Sequence, residues 1–242
     1  MSEPAIEFRE TGYSVNGTRL TGPLNLVIER GETLVLLGES GSGKTTTLRL
    51  INRLLDPTEG EVVVEGQRTM DWNSVRLRRR IGYMIQEVGL LPHLSVADNV
   101  GVVPRLEKWD SHRRRDRIEE LLRLVGLPPD EFRDRRPQEL SGGQRQRVGV
   151  ARALAADPPI LLCDEAFGAV DAVTRADLQS EFKSLAEALS KTVVFVTHDV
   201  REALALASRI AVLDRGVVRF LGTVTEFRND ETPAVVALRE LQ

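Results

Sequence analysis

Three short stretches of this sequence carry residue types whose spacing suits work on a phosphate chain. GESGSGKT (Gly38 to Thr45) is a complete phosphate-loop pattern. Gly38, Gly41 and Gly43 allow backbone N–H groups to curl around phosphate oxygens, with Ser40, Ser42 and Thr46 as further candidate contacts. Lys44 brings a positive charge to the outer phosphates, and Thr45 a hydroxyl for magnesium. A serine/glycine turn that matches by chance is the competing reading. The apolar run Thr33 to Leu37 before the loop and the helix-like Lys44 to Leu55 after it favour the phosphate loop.

The second stretch is LSGGQRQR (Leu140 to Arg147). Val148, Val150, Ala151 and Leu154 follow near helical spacing, so Ser141, Gly142 and Gly143 open a helix with Gln144 in its first turn. A serine hydroxyl, bare backbone N–H groups and the positive end of a helix dipole make an anion site. The third is ILLCDE (Ile160 to Glu165), an apolar strand that ends in two carboxylates, at the ligand edge of an open parallel sheet. Asp164 is placed to hold magnesium, directly or through water, and Glu165 to polarise an attacking water as general base. The alternative is that one carboxylate caps the following helix. His198 closes another apolar run, VVFVT, where a structural role is the default for a lone histidine. Gln86, at the end of IGYMIQ, is by itself an ordinary polar residue.

In this order the motifs resemble the ATP-binding cassette family of transporter ATPases, whose signature is the LSGGQ-type stretch. The resemblance implies ATP and Mg2+ as ligands, with Thr45, Gln86 and Asp164 around the metal and Glu165, His198, Lys44 and Gln86 as the catalytic set. It makes His198 the contact to the γ-phosphate and Gln86 a sensor that binds magnesium or water and lets go easily. It places Tyr13 against adenine, where a half-buried strand tyrosine is the alternative, and Asp171 in a loop that spans two subunits. Ser141, Gly142, Gly143 and Gln144 of one copy would close over ATP held by the phosphate loop of another. They lie too far along the chain, in a separate helical region, to reach their own loop easily, so a head-to-tail homodimer is expected. Two departures stand out. Ala166 replaces the common proline after the two carboxylates, and Gly168-Ala169-Val170-Asp171 replaces Ser-Ala-Leu-Asp. Both add flexibility and neither removes a phosphate or magnesium ligand.

These motifs need a scaffold. Apolar and polar residues alternate up to about Gly31, as in half-buried antiparallel strands. Further strands are expected at Glu61 to Glu65, Ile81 to Gln86, Ile160 to Cys163, Thr192 to Val196 and Ile210 to Leu213. Helices are expected at Ser95 to Val103, Arg113 to Val125 and Thr174 to Leu189, with a last strand and short helices after Val217. The alternation predicts an α/β fold with a mostly parallel sheet and helices on both faces. With the resemblance this becomes a P-loop NTPase of the ABC type, with an N-terminal antiparallel part and an inserted helical subdomain. Residues 1–242 are read as one domain, with 1–86 and 157–242 as nucleotide-binding core and 87–156 as the helical signature subdomain.

Composition bounds the partners. The 242 residues carry a formal charge of −3, with a pI near 5.8, and lack an overall basic footprint for nucleic acid. The arginine clusters at 76–80, 113–117 and 133–136 read first as solvated faces and ion pairs; a permease loop or anionic lipid is the minority reading. No apolar run is long enough to cross a bilayer, and MSEPAIEFRE has no signal-peptide pattern. The single cysteine, Cys163, lies in an apolar run and reads as an inert buried thiol. Beyond the catalytic motifs, IGYMIQEVGLLPH, VVPRLEKW and DAVTRADLQSEFKSL are similar to ATPases that import glycine betaine, choline and related osmoprotectants. Import of an amino acid, a sulfonate or another solute stays open, as do a soluble non-transport ATPase and a non-catalytic ATP-binding module. The implied partners are a transmembrane permease and, indirectly, an extracytoplasmic substrate-binding protein, with no nucleic acid. The implied location is the cytoplasmic face of the inner membrane. Glu87 to Val100, with apolar Leu90, Leu91 and Pro92, is where the permease is expected to attach, with packing of the subdomain hinge as the alternative. Many such relatives carry a C-terminal pair of nucleotide-sensing modules. The sequence stops at Gln242, so regulation by them is not expected.

Overall fold

The computed structural model describes residues 3–86, 88–168 and 170–240. In chain order the elements begin with β1 (Ile6–Val15), β2 (Thr18–Ile28), β3 (Thr33–Leu37), α1 (Lys44–Ile51), β4 (Glu59–Val64), β5 (Gln67–Arg68) and α2 (Ser74–Arg79). Next come β6 (Ile81–Met84), α3 (Val96–Val100), α4 (Val102–Leu106), α5 (Ser111–Leu124), α6 (Pro129–Phe132), α7 (Gly142–Leu154), β7 (Ile160–Asp164) and α8 (Ala172–Ala188). The last are β8 (Thr192–Thr197), α9 (Val200–Leu206), β9 (Arg209–Asp214), β10 (Val217–Thr223), α10 (Val224–Asn229) and α11 (Pro233–Glu240). The chain divides into two compact units, Met1–Arg78 with Ala186–Gln242, and Arg79–Leu185. The second unit therefore takes in β6, β7 and most of α8, whereas the change of texture along the sequence puts the boundaries at 87 and 156.

In the first unit, β3 lies between β8 and β9 and runs parallel to both, and β10 pairs with β9 in antiparallel fashion. Leu34 to Leu37 and Val193 to Val196 are sealed from solvent. Such continuous apolar runs are what a parallel strand covered on both faces requires. Each fully buried side chain contributes about 1.5–3 kcal/mol, against about 1–2 kcal/mol for fixing a residue's backbone. These strands are thus rigid ground from which loops can be held. The register pairs Leu37 with Thr197, so the chain leaves β3 and β8 side by side at one carboxyl edge. A separate antiparallel sheet in the order β2-β1-β4-β5 forms the N-terminal part, with Ile6, Phe8, Leu24, Leu26 and Ile28 buried.

Helix α1 stops at Ile51, four residues short of the sequence expectation. Arg53 adopts φ 53, a left-handed turn, and the N–H groups of Leu54 and Leu55 both return to the carbonyl of Arg49 (2.9 and 3.1 Å). Arg53 itself is fixed by Asp56 (3.0 Å) and the carbonyl of Trp72 (2.8 Å), so this turn ends the helix.

In the second unit, β6 and β7 pair in parallel, with Met84 opposite Cys163. Ile160 to Cys163 are buried, as are Val148, Ala151 and Leu154 on α7 and Leu121 and Leu122 on α5. Phe167 packs edge-on against Phe182 of α8, with ring centroids 5.7 Å apart. The helix expected over Ser95 to Val103 is two short ones, α3 and α4, joined at Gly101. A side chain at Gly101 would lie 3.0 Å from Ile118 of α5, so the junction is set by close helix approach. Glu119 on α5 gathers Arg115 and Arg123 (3.1 Å each) and Arg133 (3.2 Å); for Arg115 and Arg133 this is the ion pairing expected of their clusters. Burial pushes the Cys163 thiol well above its ordinary range, which keeps it unreactive.

Candidate active site

The phosphate loop emerges from β3 in the first unit. Gly43 takes φ 99 and stands at the N-cap of α1 with no side-chain cap hydrogen bond. A Cβ at Gly43 would meet the carbonyl of Leu20 at 2.8 Å, and one at Gly38 the carbonyl of Leu213 at 2.2 Å, so backbone hems the loop in from both sides. Gly41 (φ 80) faces open space where its Cβ would be, so the loop is accessible on that side. The Lys44 ammonium is buried and donates to the carbonyls of Gly38 and Glu39 (2.7 Å each), with Ser42 Oγ at 3.4 Å. A cation seated on carbonyls at an uncapped helix start is what an anionic phosphate chain would meet. Sequence reasoning missed the floor of this loop. Gly216, in the β9–β10 turn, donates its N–H to the carbonyl of Ser42 (2.9 Å), and its own carbonyl accepts from Gly22 N–H (2.7 Å) and Thr21 Oγ (3.2 Å). The only sequence signal at 215–216 is that of a hairpin turn.

Thr45 and Thr46 lie in the first turn of α1. His198 follows Thr197 off the end of β8 and is exposed, on the same edge that releases the phosphate loop. Thr197 is sealed from solvent and donates its hydroxyl to Glu202 on α9 (2.5 Å), while its Oγ accepts the Asp199 N–H (2.9 Å). Tyr13 is half-buried in β1, opposite Thr21, beyond two register shifts that bend the strand. Thr21 in turn contacts Thr47 of α1 (3.3 Å).

The second unit holds the carboxylates. Asp164, buried, ends β7, and the Tyr83 hydroxyl approaches it at 3.5 Å. Glu165 takes φ 47, a left-handed conformation costly for a residue with a side chain. Its carboxylate accepts from the Gln86 side-chain amide at 3.1 Å. Parallel pairing of β6 and β7 brings these two chain ends together. Neither carboxylate caps a helix. The next one begins at Ala172 and is capped by Asp171, which accepts the Thr174 N–H (3.1 Å). That bond holds the Asp171 carboxyl below its ordinary range.

Ser141 caps α7 as a complete capping box. Its Oγ accepts the Gln144 N–H (3.2 Å), and the Gln144 side chain accepts the Ser141 N–H (2.9 Å). A Cβ at Gly143 would lie 2.9 Å from the Thr174 methyl, so the starts of α7 and α8 are neighbours. At the other end of α7, Arg152 donates to the carbonyls of Val88 and Gly89 (2.6 Å to the latter), and burial lowers its pKa. Gly149 accommodates Val88, whose methyl would lie 2.7 Å from an added Cβ. Beyond Gly89, buried Asn99 fastens the turn. It accepts the Leu91 N–H (2.7 Å) and donates to the carbonyls of Leu91, Leu94 and Ser95, leaving Leu91 and Pro92 exposed. Glu87 and Ala169 lie outside the described residues. Nothing in the sequence announces Arg152, whose reach is to backbone.

The profile of the ABC transporter family matches residues 21–168, which hold the phosphate loop, Gln86, the signature and both carboxylates. The chain belongs to the ABC transporter family. Its fold is that of the ATP-binding cassette. It superposes on MJ0796, described as a dimeric post-hydrolysis ATP-binding cassette bound to ADP and Pi, with TM-score 0.80 at 35% identity, covering 90% of this chain and 98% of that one. The chain is 51% identical over 207 residues to the choline transport ATP-binding protein OpuBA of Bacillus subtilis, covering 86% of this chain and 54% of OpuBA. It is 49% identical over 213 residues to the glycine betaine uptake system ATP-binding protein YehX of Escherichia coli, covering 88% of this chain and 69% of YehX. The chain thus spans about half the length of OpuBA. Among the described residues no helix of this ABC protein is long and apolar enough to cross a membrane.

Proposed function

We propose that this chain is the ATP-hydrolysing subunit of an importer for quaternary amine osmoprotectants. The hydrolytic reading rests on Glu165, a carboxylate in a strained backbone conformation at a strand end and met by the Gln86 amide at 3.1 Å. Strain of this kind persists where the surroundings enforce it, and it collects at sites of chemistry. The solute class rests on the names of the relatives.

In this reading the phosphate loop takes the triphosphate. Lys44 turns its ammonium from the carbonyls of Gly38 and Glu39 to the outer phosphate oxygens, a charge-assisted exchange. Tyr13 offers a face to the adenine. Thr45, Gln86 and Asp164 would hold Mg2+. A hydroxyl, an amide and one carboxylate are hard oxygen donors, and among the described residues no cluster of three His, Cys, Asp or Glu competes with them. That matches an ion held partly by phosphate oxygens. Bound there, Mg2+ would neutralise charge on the phosphates. Glu165 accepts a proton from the water that attacks the γ-phosphorus, and His198 fixes the γ-phosphate and that water. The γ-phosphate to oxygen bond to ADP breaks as the water oxygen adds, and phosphate leaves.

The signature of a second copy, Ser141 to Gln144, closes each site, as a head-to-tail dimer. The membrane partner seats on Leu90, Leu91 and Pro92, and Arg152 ties that segment to the signature helix. The subunit would then work on the cytoplasmic face of the membrane, served from outside by a substrate-binding protein. The test is uptake of labelled glycine betaine and choline by cells with the permease, with and without this subunit and with its Glu165→Gln variant. Uptake that depends on Glu165 supports the reading; uptake indifferent to it removes the hydrolytic assignment.

A further inference from the structure

The first unit hides a polar contact that the mechanism above does not use. Thr197 and Glu202 are both buried, at 1% and 6% exposure, in a region otherwise sealed by Val193 to Val196, Val200 and Ala203. A carboxylate and a hydroxyl in such surroundings cost free energy unless each finds a partner. They find each other: the Thr197 hydroxyl donates to Glu202 Oε2 at 2.5 Å. Thr197 Oγ also accepts the Asp199 N–H at 2.9 Å. Asp199 in turn caps α9, accepting the Arg201 N–H at 2.7 Å. His198 is thus the single residue between Thr197 and Asp199, which one pinned oxygen holds together. Its own side chain is exposed, on the edge where the phosphate loop leaves β3. The bracket thus fixes the backbone on both sides of the exposed histidine.

We propose that Thr197 and Glu202 are positioning residues that aim the His198 imidazole at the reacting phosphate. The proposal rests on the reading of His198 given above. Glu202 anchors the Thr197 hydroxyl, and Thr197 anchors the peptide on the far side of His198. Neither needs to touch nucleotide. The bracket spans from the last residue of β8 to the first turn of α9, so it also fixes the strand-to-helix corner in which His198 stands.

The test measures steady-state ATP turnover by the full chain, with melting temperature and nucleotide affinity for each variant. Thr197→Val and Glu202→Ala lower kcat about tenfold, with KM within about twofold, as loss of an orienting partner does. Thr197→Ser, which keeps the hydroxyl, restores turnover. Glu202→Gln keeps an acceptor and a similar volume; it falls between the wild type and Glu202→Ala, and it serves if the alanine variant does not fold. In a His198→Ala background, adding Thr197→Val costs nothing further, because the bracket then has nothing to aim. A full additional loss in that background, or unchanged kcat in folded Thr197→Val and Glu202→Ala, overturns the proposal while leaving His198 in place. Unchanged turnover in His198→Ala alone overturns both the proposal and the reading beneath it.

Discussion

Two glycine-rich helix starts, one in each unit, look alike on paper and are built in opposite ways. The start of α1 has a left-handed glycine at its cap, no side-chain hydrogen bond there, and a lysine ammonium folded onto the loop's own carbonyls. The start of α7 is closed by its own residues, with Ser141 and Gln144 capping each other's backbone N–H groups. An incomplete helix start waits for charge from outside. A complete one keeps its shape with nothing bound. The first is therefore suited to hold a ligand and the second to arrive preformed on a ligand held elsewhere, which is the division of labour a shared site in a dimer needs.

The largest effect should come from Glu165, the proposed general base. Glu165→Gln should lower ATP turnover by about 100-fold or more, the scale of a lost general base, while sedimentation shows an ATP-dependent dimer. A variant that stays monomeric in saturating Mg-ATP would break the shared-site half of the contrast. Next comes the incomplete start. Lys44→Ala should weaken ATP binding by about 10- to 100-fold, the worth of a charge-assisted bond of about 1.5–3 kcal/mol, with the far-ultraviolet circular dichroism spectrum unchanged. Calorimetric titration giving wild-type affinity would remove the loop from the ligand site. Smaller is the complete start. Ser141→Ala should cost about 1 kcal/mol of stability in denaturant unfolding, and Ser141→Gly only a few tenths, because the serine caps its own helix. Isolated Ser141→Ala should still bind ATP as the wild type does, and a loss of affinity in the monomer would sink the claim that α7 meets nucleotide only in the dimer.

The smallest effect sharpens the contrast within the second unit. Asp171 caps α8 with a titratable group, whereas Ser141 caps α7 with one that does not ionise over the working range. The Asp171 carboxyl is lowered by the Thr174 N–H, so its stabilising contribution is complete above the ordinary aspartate value and fades as pH falls through the lowered one. Asp171→Asn should flatten that part of the acid limb of a pH–stability curve. An unaltered limb would show that the cap adds nothing.

Much of the fold is legible in the residues alone, and so are the strand ends on which the candidate site residues stand; the roles of Gln86 and His198 come only with the family resemblance. The apolar runs of β3, β7 and β8 are continuous because both faces are covered, and each ends at a residue named for chemistry or next to one. What is illegible has a common cause: it depends on backbone. Arg53 ends α1 by a left-handed turn that its side-chain type does not signal. Gly216 supports the phosphate loop through its own N–H and carbonyl, and Arg152 finds carbonyls that any residues at 88 and 89 would supply. Thr197 and Glu202 do not stand out either, because a threonine at a strand end and a glutamate on a helix are ordinary until their burial is known.

The arginines around Glu119 differ from Arg152 in what they hold. The former grip a carboxylate near water, and dissolved salt weakens such pairs. Arg152, half-buried, grips uncharged peptide oxygens. Peptide oxygens carry no charge for acid to neutralise or for ions to crowd out. The fastening between α7 and the stretch that begins at Val88 should hold as firmly in brine as in dilute buffer.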